Sequence, residues 1–74
     1  MKETVNKIIN EIRTAKGLDK VIEISENSTL RGDLGFTSFD LAELTVKIED
    51  EFDIDIFEDG LVNTVGEIFE KLEA

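Results

Sequence analysis

The chain has 74 residues, of which 41% are hydrophobic and 35% are charged, and its formal net charge is −10 at pH 7. It contains no cysteine and no histidine, which excludes disulfide bonds, thiolate nucleophiles, the usual zinc sites and proton transfer by an imidazole. A chain of this length has room for one hydrophobic core, so we expect residues 1–74 to form a single domain.

No run in the sequence approaches the roughly 20 apolar residues of a membrane span. Residues 1–7 also lack the apolar segment of a signal peptide. We therefore expect a cytoplasmic protein that does not insert into membranes.

The acidic residues are concentrated in the second part of the chain. Residues 1–32 hold 6 basic and 5 acidic residues, whereas residues 33–74 hold 2 basic and 13 acidic residues. This distribution disfavours nucleic acids and anionic membranes as partners and favours proteins that present basic patches. Solubility alone is the simpler explanation of the same charge.

The first predicted element is an amphipathic helix over residues 2–16, and Gly17 is expected to end it in a left-handed conformation. Its apolar stripe has the i, i+3, i+4, i+7 spacing and comprises Val5, Ile8, Ile9 and Ile12. A long loop is predicted to follow as far as Phe36, with its scattered apolar residues pinned to the core. A short strand over residues 21–24 is the alternative, but it has no obvious partner strand.

A second helix is predicted to begin near Ser38, where either Thr37 or Ser38 can act as the N-cap. One apolar face comprises Leu41, Leu44, Ile48 and Phe52, with Ala42 and Val46 beside it. Its charged residues are expected to point largely to solvent; they are Asp40, Glu43, Lys47, Glu49, Asp50 and Glu51.

The third predicted helix begins at Thr64, because Thr64 and Glu67 have the spacing of a capping box. Its apolar stripe is Val65, Ile68, Phe69 and Leu72. The segment between the second and third helices reads as a connector with one helical turn. We therefore predict an all-α fold, a small helical bundle of three main amphipathic helices plus a short helical turn, with a long loop after the first helix.

Ser38 lies where a glycine-containing loop meets the N-terminus of an acidic helix. Unpaired backbone amides and the positive end of the helix dipole at this position suit an attached phosphate ester. An ordinary helix cap is the simpler explanation of the same serine.

The segment around Ser38 resembles the phosphopantetheine attachment motif of acyl carrier proteins, in which Asp-Ser-Leu follows Leu-Gly and opens an acidic helix. The corresponding residues here are Leu34-Gly35-Phe36-Thr37-Ser38-Phe39-Asp40. The resemblance continues through residues 41–44 and 48–56 to Thr64-Val65, so it covers nearly the whole chain. The order and lengths of the first helix and the long loop are also similar.

The resemblance implies that Ser38 accepts 4′-phosphopantetheine from coenzyme A through a phosphopantetheinyl transferase. Acyl groups are then carried as thioesters on the terminal thiol of the arm, in fatty acid biosynthesis or a related pathway. Acyl transferases, acyl ligases or synthases supply the chemistry, so the chain itself needs no catalytic residue. In the family the second helix docks on basic patches of these enzymes, and the matching positions here are Asp40, Glu43, Glu49 and Asp50. A monomer is expected.

Two positions beside Ser38 depart from the family pattern. Thr37 replaces the usual aspartate before the serine, which bears on the choice of transferase and pathway. Phe39 replaces the usual leucine after the serine, and we expect this larger apolar residue to repack the start of the helix.

Other functions are less well supported. A serine hydrolase needs a base that this chain lacks, and residues 35–39 do not match Gly-x-Ser-x-Gly. The acidic residues 53–59 do not fit the spacing of an EF-hand, so no metal site is predicted. A specialised carrier of a polyketide, aminoacyl or other group remains open, as does an unmodified acidic helical interaction domain.

Overall fold

The computed structural model describes residues 2–58 and 60–73. These residues form three helices, α1 (Lys2–Ala15), α2 (Ser38–Phe52) and α3 (Val65–Glu73). The described part of the chain contains no β-strand, and the isolated bridge between Thr29 and Thr64 is the one β-type pairing in it. The prediction of an all-α fold with three amphipathic helices and a long loop after the first is confirmed.

One hydrophobic core receives side chains from all three helices and from both connections. The helices contribute the apolar stripes that their spacing predicts, because burying one face of each helix removes apolar surface from water. The buried apolar residues are Val5, Ile8, Ile9, Ile12, Leu30, Leu34, Phe36, Leu44, Ile48, Ile56, Val62, Val65, Ile68 and Phe69.

Helix α1 ends as its sequence predicts. Gly17 has φ +85°, a left-handed conformation that glycine adopts without a steric penalty. The N–H of Leu18 then donates to the carbonyl of Arg13 at 2.9 Å, which satisfies an acceptor in the last turn of the helix.

The long loop is fixed to α1 and to the core. The side-chain amide of Asn10 makes two hydrogen bonds with the backbone of Val21, donating to its carbonyl at 3.1 Å and accepting from its N–H at 2.8 Å. No strand forms over residues 21–24, and Ile22 is 96% exposed. The prediction that the loop's apolar residues are pinned to the core is therefore correct for Leu30, Leu34 and Phe36 but wrong for Ile22.

The same loop also contacts the start of α3. The capping box predicted there is confirmed, since the Thr64 hydroxyl accepts from the Glu67 N–H at 3.3 Å and the Glu67 carboxylate accepts from the Thr64 N–H at 3.1 Å. The N–H of Gly66 donates to the Glu26 carbonyl at 2.9 Å. A Cβ atom at Gly66 would lie 3.0 Å from that carbonyl oxygen, so glycine permits the close approach of loop and helix.

The connector between α2 and α3 begins at Asp53, which ends α2 with φ 57°. Its described residues form a hydrogen-bonded turn, in which the Glu58 N–H donates to the Asp55 carbonyl, where the sequence predicts a helical turn. Ile56 and Val62 anchor the connector in the core. No helix of the described residues is long and apolar enough to cross a bilayer.

Candidate functional site at the start of helix α2

Thr37 is the N-cap of α2, which resolves the alternative between Thr37 and Ser38. Its hydroxyl accepts from the N–H of Asp40 at 3.3 Å, and the Asp40 carboxylate accepts from the Thr37 N–H at 2.7 Å. This pair is a capping box, and it satisfies two donors that the helix start would otherwise leave unpaired. Ser38 is therefore the first residue of α2, and its hydroxyl does not cap the helix.

The Ser38 side chain is exposed to solvent and lies beside a cation. Its Oγ accepts a hydrogen bond from Nη2 of Arg31 at 2.9 Å. In this bond the hydroxyl is the acceptor, so its own hydrogen is not used there. The exposed side chain can also be reached by another protein. The sequence does not indicate Arg31, because it lies seven positions before Ser38 in an irregular loop and no periodicity predicts their contact.

Backbone hydrogen bonds hold the loop so that Arg31 comes close to Ser38. Leu30 donates its N–H to the Asn63 carbonyl at 2.8 Å and accepts from the Phe36 N–H at 2.9 Å. Thr29 and Asp33 bond each other, since the Thr29 N–H donates to the Asp33 carboxylate and the Asp33 N–H donates to the Thr29 hydroxyl. The chain thereby folds back between residues 30 and 36, which brings Arg31 next to the start of α2.

Asp40 does not point to solvent, so that expectation is wrong. The residue is only 8% exposed, and its Oδ2 accepts from the Lys16 ammonium group at 2.5 Å and from the Thr37 hydroxyl at 3.0 Å. Burial alone raises the pKa of Asp40, but the hydrogen bonds from Lys16 and Thr37 and the charge of Lys16 lower it by more. The pKa of this carboxyl is therefore below its ordinary value.

Two cations at the end of α1 hold the segment that leads into Ser38. Lys16 also donates to the Gly35 carbonyl at 2.7 Å. Arg13 donates to the carbonyls of Leu34 at 2.5 Å and Asp19 at 2.9 Å. Both side chains satisfy carbonyl oxygens of an irregular segment, so they restrict how the loop enters α2.

The exposed face of α2 combines acidic and apolar residues. The sequence-predicted acidic residues Glu43, Glu49 and Asp50 are all exposed. Phe39 is 89% exposed and Val46 is 67% exposed, so the expectation that Phe39 repacks the helix start is wrong. Their spacing of seven residues places these two apolar side chains on one side of the helix, whereas the sequence pattern placed Val46 beside the buried face.

Three features around Ser38 fit a phosphopantetheine arm. The hydroxyl is exposed, a guanidinium group is in contact with it, and a shallow groove of about 230 Å³ opens beside it. Apolar side chains form much of this groove, which suits a chain of alternating amide and methylene groups. The groove is lined by Arg31, Ser38, Leu41, Ala42, Thr45, Phe57 and Leu61. Within residues 2–58 and 60–73, no three acidic side chains converge on a point where a metal ion could be held.

Residues 6–71 match a family model described as the phosphopantetheine attachment site. No solved structure gave a significant match to the chain. Proteins of this family hold their cargo on covalently attached 4′-phosphopantetheine and are carriers, not catalysts; they work with a phosphopantetheinyl transferase and with synthases or transferases. Because the match covers most of the sequence and agrees with the motif around Ser38, the chain belongs to this family of phosphopantetheine-bearing carrier proteins.

Proposed function

We propose that the protein carries acyl groups on a phosphopantetheine arm attached to Ser38. The observation that supports this site best is the exposed Ser38 hydroxyl, which starts α2 without capping it. A serine whose only role were structural would be expected to accept from a backbone N–H in the first turn. Thr37 already has that role, so the Ser38 hydroxyl is available for modification.

The proposed attachment at Ser38 uses coenzyme A as the donor of the arm. Ser38 Oγ forms a bond to the phosphorus atom that bears the pantetheine, and the bond from that phosphorus to the nucleotide phosphate breaks. Adenosine 3′,5′-bisphosphate leaves, and the hydroxyl proton passes to a base of the transferase, since this chain has no histidine. When attached, the arm supplies a thiol that holds acyl groups as thioesters.

The exposed face of α2 is the proposed docking surface for partner enzymes. Glu43, Glu49 and Asp50 offer carboxylates to basic patches, while Phe39 and Val46 offer apolar contact. Asp40 was expected to join this set, but its carboxylate is bonded to Lys16 and Thr37. We therefore propose that Asp40 supports docking indirectly, by fixing the start of the helix.

A charge reversal tests the docking surface. We expect Glu49→Lys to slow transfer of the arm by a transferase with a basic patch, because like charges then meet and slow the encounter. The matched control is Glu23→Lys, which makes the same change at an exposed loop position. Loading rates measured by intact mass should differ between the two variants, and the difference should shrink at 0.5 M salt. Equal rates would remove Glu49 from the docking surface.

Fatty acid biosynthesis is the proposed pathway, and a dedicated polyketide, aminoacyl or other pathway is the alternative. Thr37 supports the alternative, because it places a neutral residue where the family usually has an aspartate. We further propose that residues 1–74 act as one domain, that the protein is a monomer and that it works in the cytoplasm.

Intact mass tests the assignment of Ser38 directly. The apo protein is incubated with coenzyme A and a broad-specificity phosphopantetheinyl transferase, and the mass should rise by one phosphopantetheine. Ser38→Ala should gain nothing, whereas Ser25→Ala, which removes another exposed serine, should be loaded like the wild type. Circular dichroism of each variant establishes that it is folded.

The two failures of this experiment have different meanings. Loading of Ser38→Ala would place the arm on another residue. No loading of the folded wild type by several transferases would favour an unmodified interaction domain.

A further inference from the structure

We propose that Arg31 is a positioning residue whose guanidinium group pairs with the phosphodiester attached to Ser38. This inference rests on the proposed function, because it assumes that the arm is attached to Ser38. It adds a role for a residue outside the sequence motif, and it explains why the structure places a cation against the hydroxyl at the start of α2.

The backbone of Arg31 is held in place by contacts of the neighbouring loop residues. Its neighbour Leu30 is buried, and backbone hydrogen bonds fix Leu30 to Asn63 on one side and to Phe36 on the other. The bonds between Thr29 and Asp33 close the turn that contains Arg31. The side chain therefore starts from an ordered backbone, which lowers the entropy lost when it pairs with a ligand.

Arg31 has no anionic partner in the part of the chain that the structure describes. Its hydrogen bond there is to the neutral Ser38 hydroxyl, and no carboxylate of residues 2–58 or 60–73 forms an ion pair with it. The two cations that contact residues 34 and 35 are already engaged, since Lys16 binds Asp40 and Arg13 binds two backbone carbonyls. Arg31 differs from these two cations because its recorded partner is the Ser38 hydroxyl, the proposed site of attachment.

Attachment of the arm would supply the missing anion. A phosphodiester formed at Ser38 Oγ would have two non-bridging oxygens that share one negative charge, and both would lie two bonds from the atom that Arg31 already contacts at 2.9 Å. Hydrogen bonds from arginine to phosphate are charge-assisted and often bidentate, and they are roughly twice as strong as neutral ones. Arg31 would exchange a neutral acceptor for an anionic one with only a small movement of its side chain.

The pairing also directs the arm. Arg31 and Ser38 line the same groove as Phe57 and Leu61. A phosphate held between Arg31 and α2 would start the pantetheine in this groove, among apolar side chains. The arm of the wild type is therefore expected to be more restricted near its phosphate than the arm of a variant without Arg31.

The test uses a chain in which the arm is installed without a transferase. At 74 residues the protein is accessible to chemical synthesis, so phosphopantetheinyl-Ser38 can be incorporated directly. The Nε–Hε signals of the two arginine side chains, Arg13 and Arg31, are then compared by NMR between the apo and the synthetic holo form. Arg13 is the internal control, because its guanidinium binds the carbonyls of Leu34 and Asp19.

We expect the Arg31 signal to shift on modification and its Hε to exchange more slowly with water, while the Arg13 signal stays in place. The shift should decrease at 0.5 M salt, because an exposed ion pair is screened. An unchanged Arg31 signal would overturn the proposal, and so would equal shifts of both arginines, which would indicate a general effect of charge.

Variants provide an independent measurement on the same synthetic forms. The melting temperature should rise from apo to holo in the wild type, and this rise should be lost in Arg31→Gln and partly retained in Arg31→Lys. Lys20→Gln is the matched control, since it removes an exposed positive charge beside α1. An equal rise in Arg31→Gln and the wild type would contradict the pairing.

The result separates this inference from the proposed function. Failure of transferases to load the apo protein, together with a shifted Arg31 signal in the synthetic holo form, would reject the proposed function and retain the pairing. Normal loading by transferases together with an unshifted Arg31 signal would reject the pairing and retain the proposed function.

Discussion

At the scale of single residues, Asp40 connects α1, the loop and α2 through one carboxylate oxygen. Oδ2 accepts from Lys16, the residue directly after α1, and from both the N–H and the hydroxyl of Thr37. Asp40→Asn removes the charge and leaves the Lys16 ammonium group without its anion. Because hydrogen bonds to charged groups contribute about 1.5–3 kcal/mol, we expect a loss of roughly that size in the free energy of unfolding at pH 7. Urea unfolding of both proteins measures it, and a loss below a few tenths of a kcal/mol would contradict the assignment.

The pKa of Asp40 also predicts how this contribution depends on pH. Its pKa is lower in the folded protein than the ordinary value of 3.8, so the unfolded chain binds the proton more readily. The contribution is therefore fully present above the ordinary value and is lost as the pH falls through the lower, folded-state pKa. The stability difference between the wild type and Asp40→Asn should stay constant from pH 7 to about 5 and shrink below about 4. A stability difference that grew on acidification would show that the pKa of Asp40 is raised by folding and not lowered.

Thr37 and Ser38 are adjacent hydroxyl residues with different predicted roles. Thr37→Ala removes the N-cap of α2 and should cost about 1 kcal/mol, within the usual range of 0.5–2 kcal/mol. Ser38→Ala removes no capping bond, so its effect should stay within about 0.5 kcal/mol. Thr37→Ser is the control, since it keeps the capping hydroxyl. Chemical unfolding of the three apo variants checks the order, and equal losses at both positions would contradict the cap assignment.

The sequence predicts which residues are involved at this site better than it predicts what they contact. Ser38 could be proposed from the motif, because the motif is local in sequence. Asp40 was expected in solvent because it belongs to an acidic helix, and nothing local indicates that Lys16, 24 residues earlier, reaches it. The contact between Arg31 and Ser38 likewise depends on how the loop folds. Contacts of this kind follow from tertiary structure, which residue spacing does not encode.

At the scale of secondary structure, the end of α2 offers a gain in stability. Asp53 has φ 57°, a left-handed conformation that is unfavourable for residues with a Cβ atom, and it adds negative charge at the negative end of the helix dipole. Glycine relieves both effects but increases the entropy of the unfolded chain. We expect Asp53→Gly to raise the free energy of unfolding by about 0.5–1 kcal/mol.

Asp53→Asn separates the two causes of that gain. It removes the charge but keeps a Cβ atom, so it should stabilise the protein less than Asp53→Gly does. Thermal unfolding is a suitable measurement, because 1 kcal/mol shifts the melting temperature of a domain of this size by roughly 4–8 °C. If asparagine stabilised as much as glycine, charge and not backbone conformation would be the cause.

The helices could be predicted from the sequence, whereas the connections could not. The spacing of apolar residues predicted all three helices. Gly17 predicted the end of α1, and the pair Thr64 and Glu67 predicted the start of α3. These signals can be read from the sequence because they act between neighbouring residues. The long loop has no period, so its path depends on distant partners such as Asn10, which bonds the backbone of Val21. In the connector, the residues after 54 form a turn closed by local hydrogen bonds to Asp55, where the sequence predicts a helical turn.

At the scale of the whole molecule, the groups around Ser38 come from three separate parts of the chain. The end of α1 and the residue after it supply the cations that bind the carbonyls of residues 34 and 35, the loop supplies Arg31, and α2 supplies Ser38 itself. Basic residues from the first part of the chain thus lie next to the start of the strongly acidic second part. This arrangement neutralises charge near Ser38 while leaving the rest of α2 acidic, which suits a site that must hold a phosphate beside a surface that attracts cations.

The remaining acidic charge predicts that ions stabilise the protein. Residues 33–74 hold 13 acidic and 2 basic residues, and folding brings these charges together, so repulsion should be larger in the folded state than in the unfolded chain. Salt shortens the screening length from about 30 Å at 0.01 M to about 10 Å at 0.1 M, which weakens that repulsion. We expect the melting temperature of the apo protein to rise with NaCl over this range, and millimolar Mg²⁺ to raise it further at equal ionic strength. The double variant Glu49→Gln/Asp50→Asn should melt at a higher temperature in low salt and respond less to NaCl. A flat or falling response of the wild type would mean that the Lys16–Asp40 pair and other attractive contacts outweigh the repulsion.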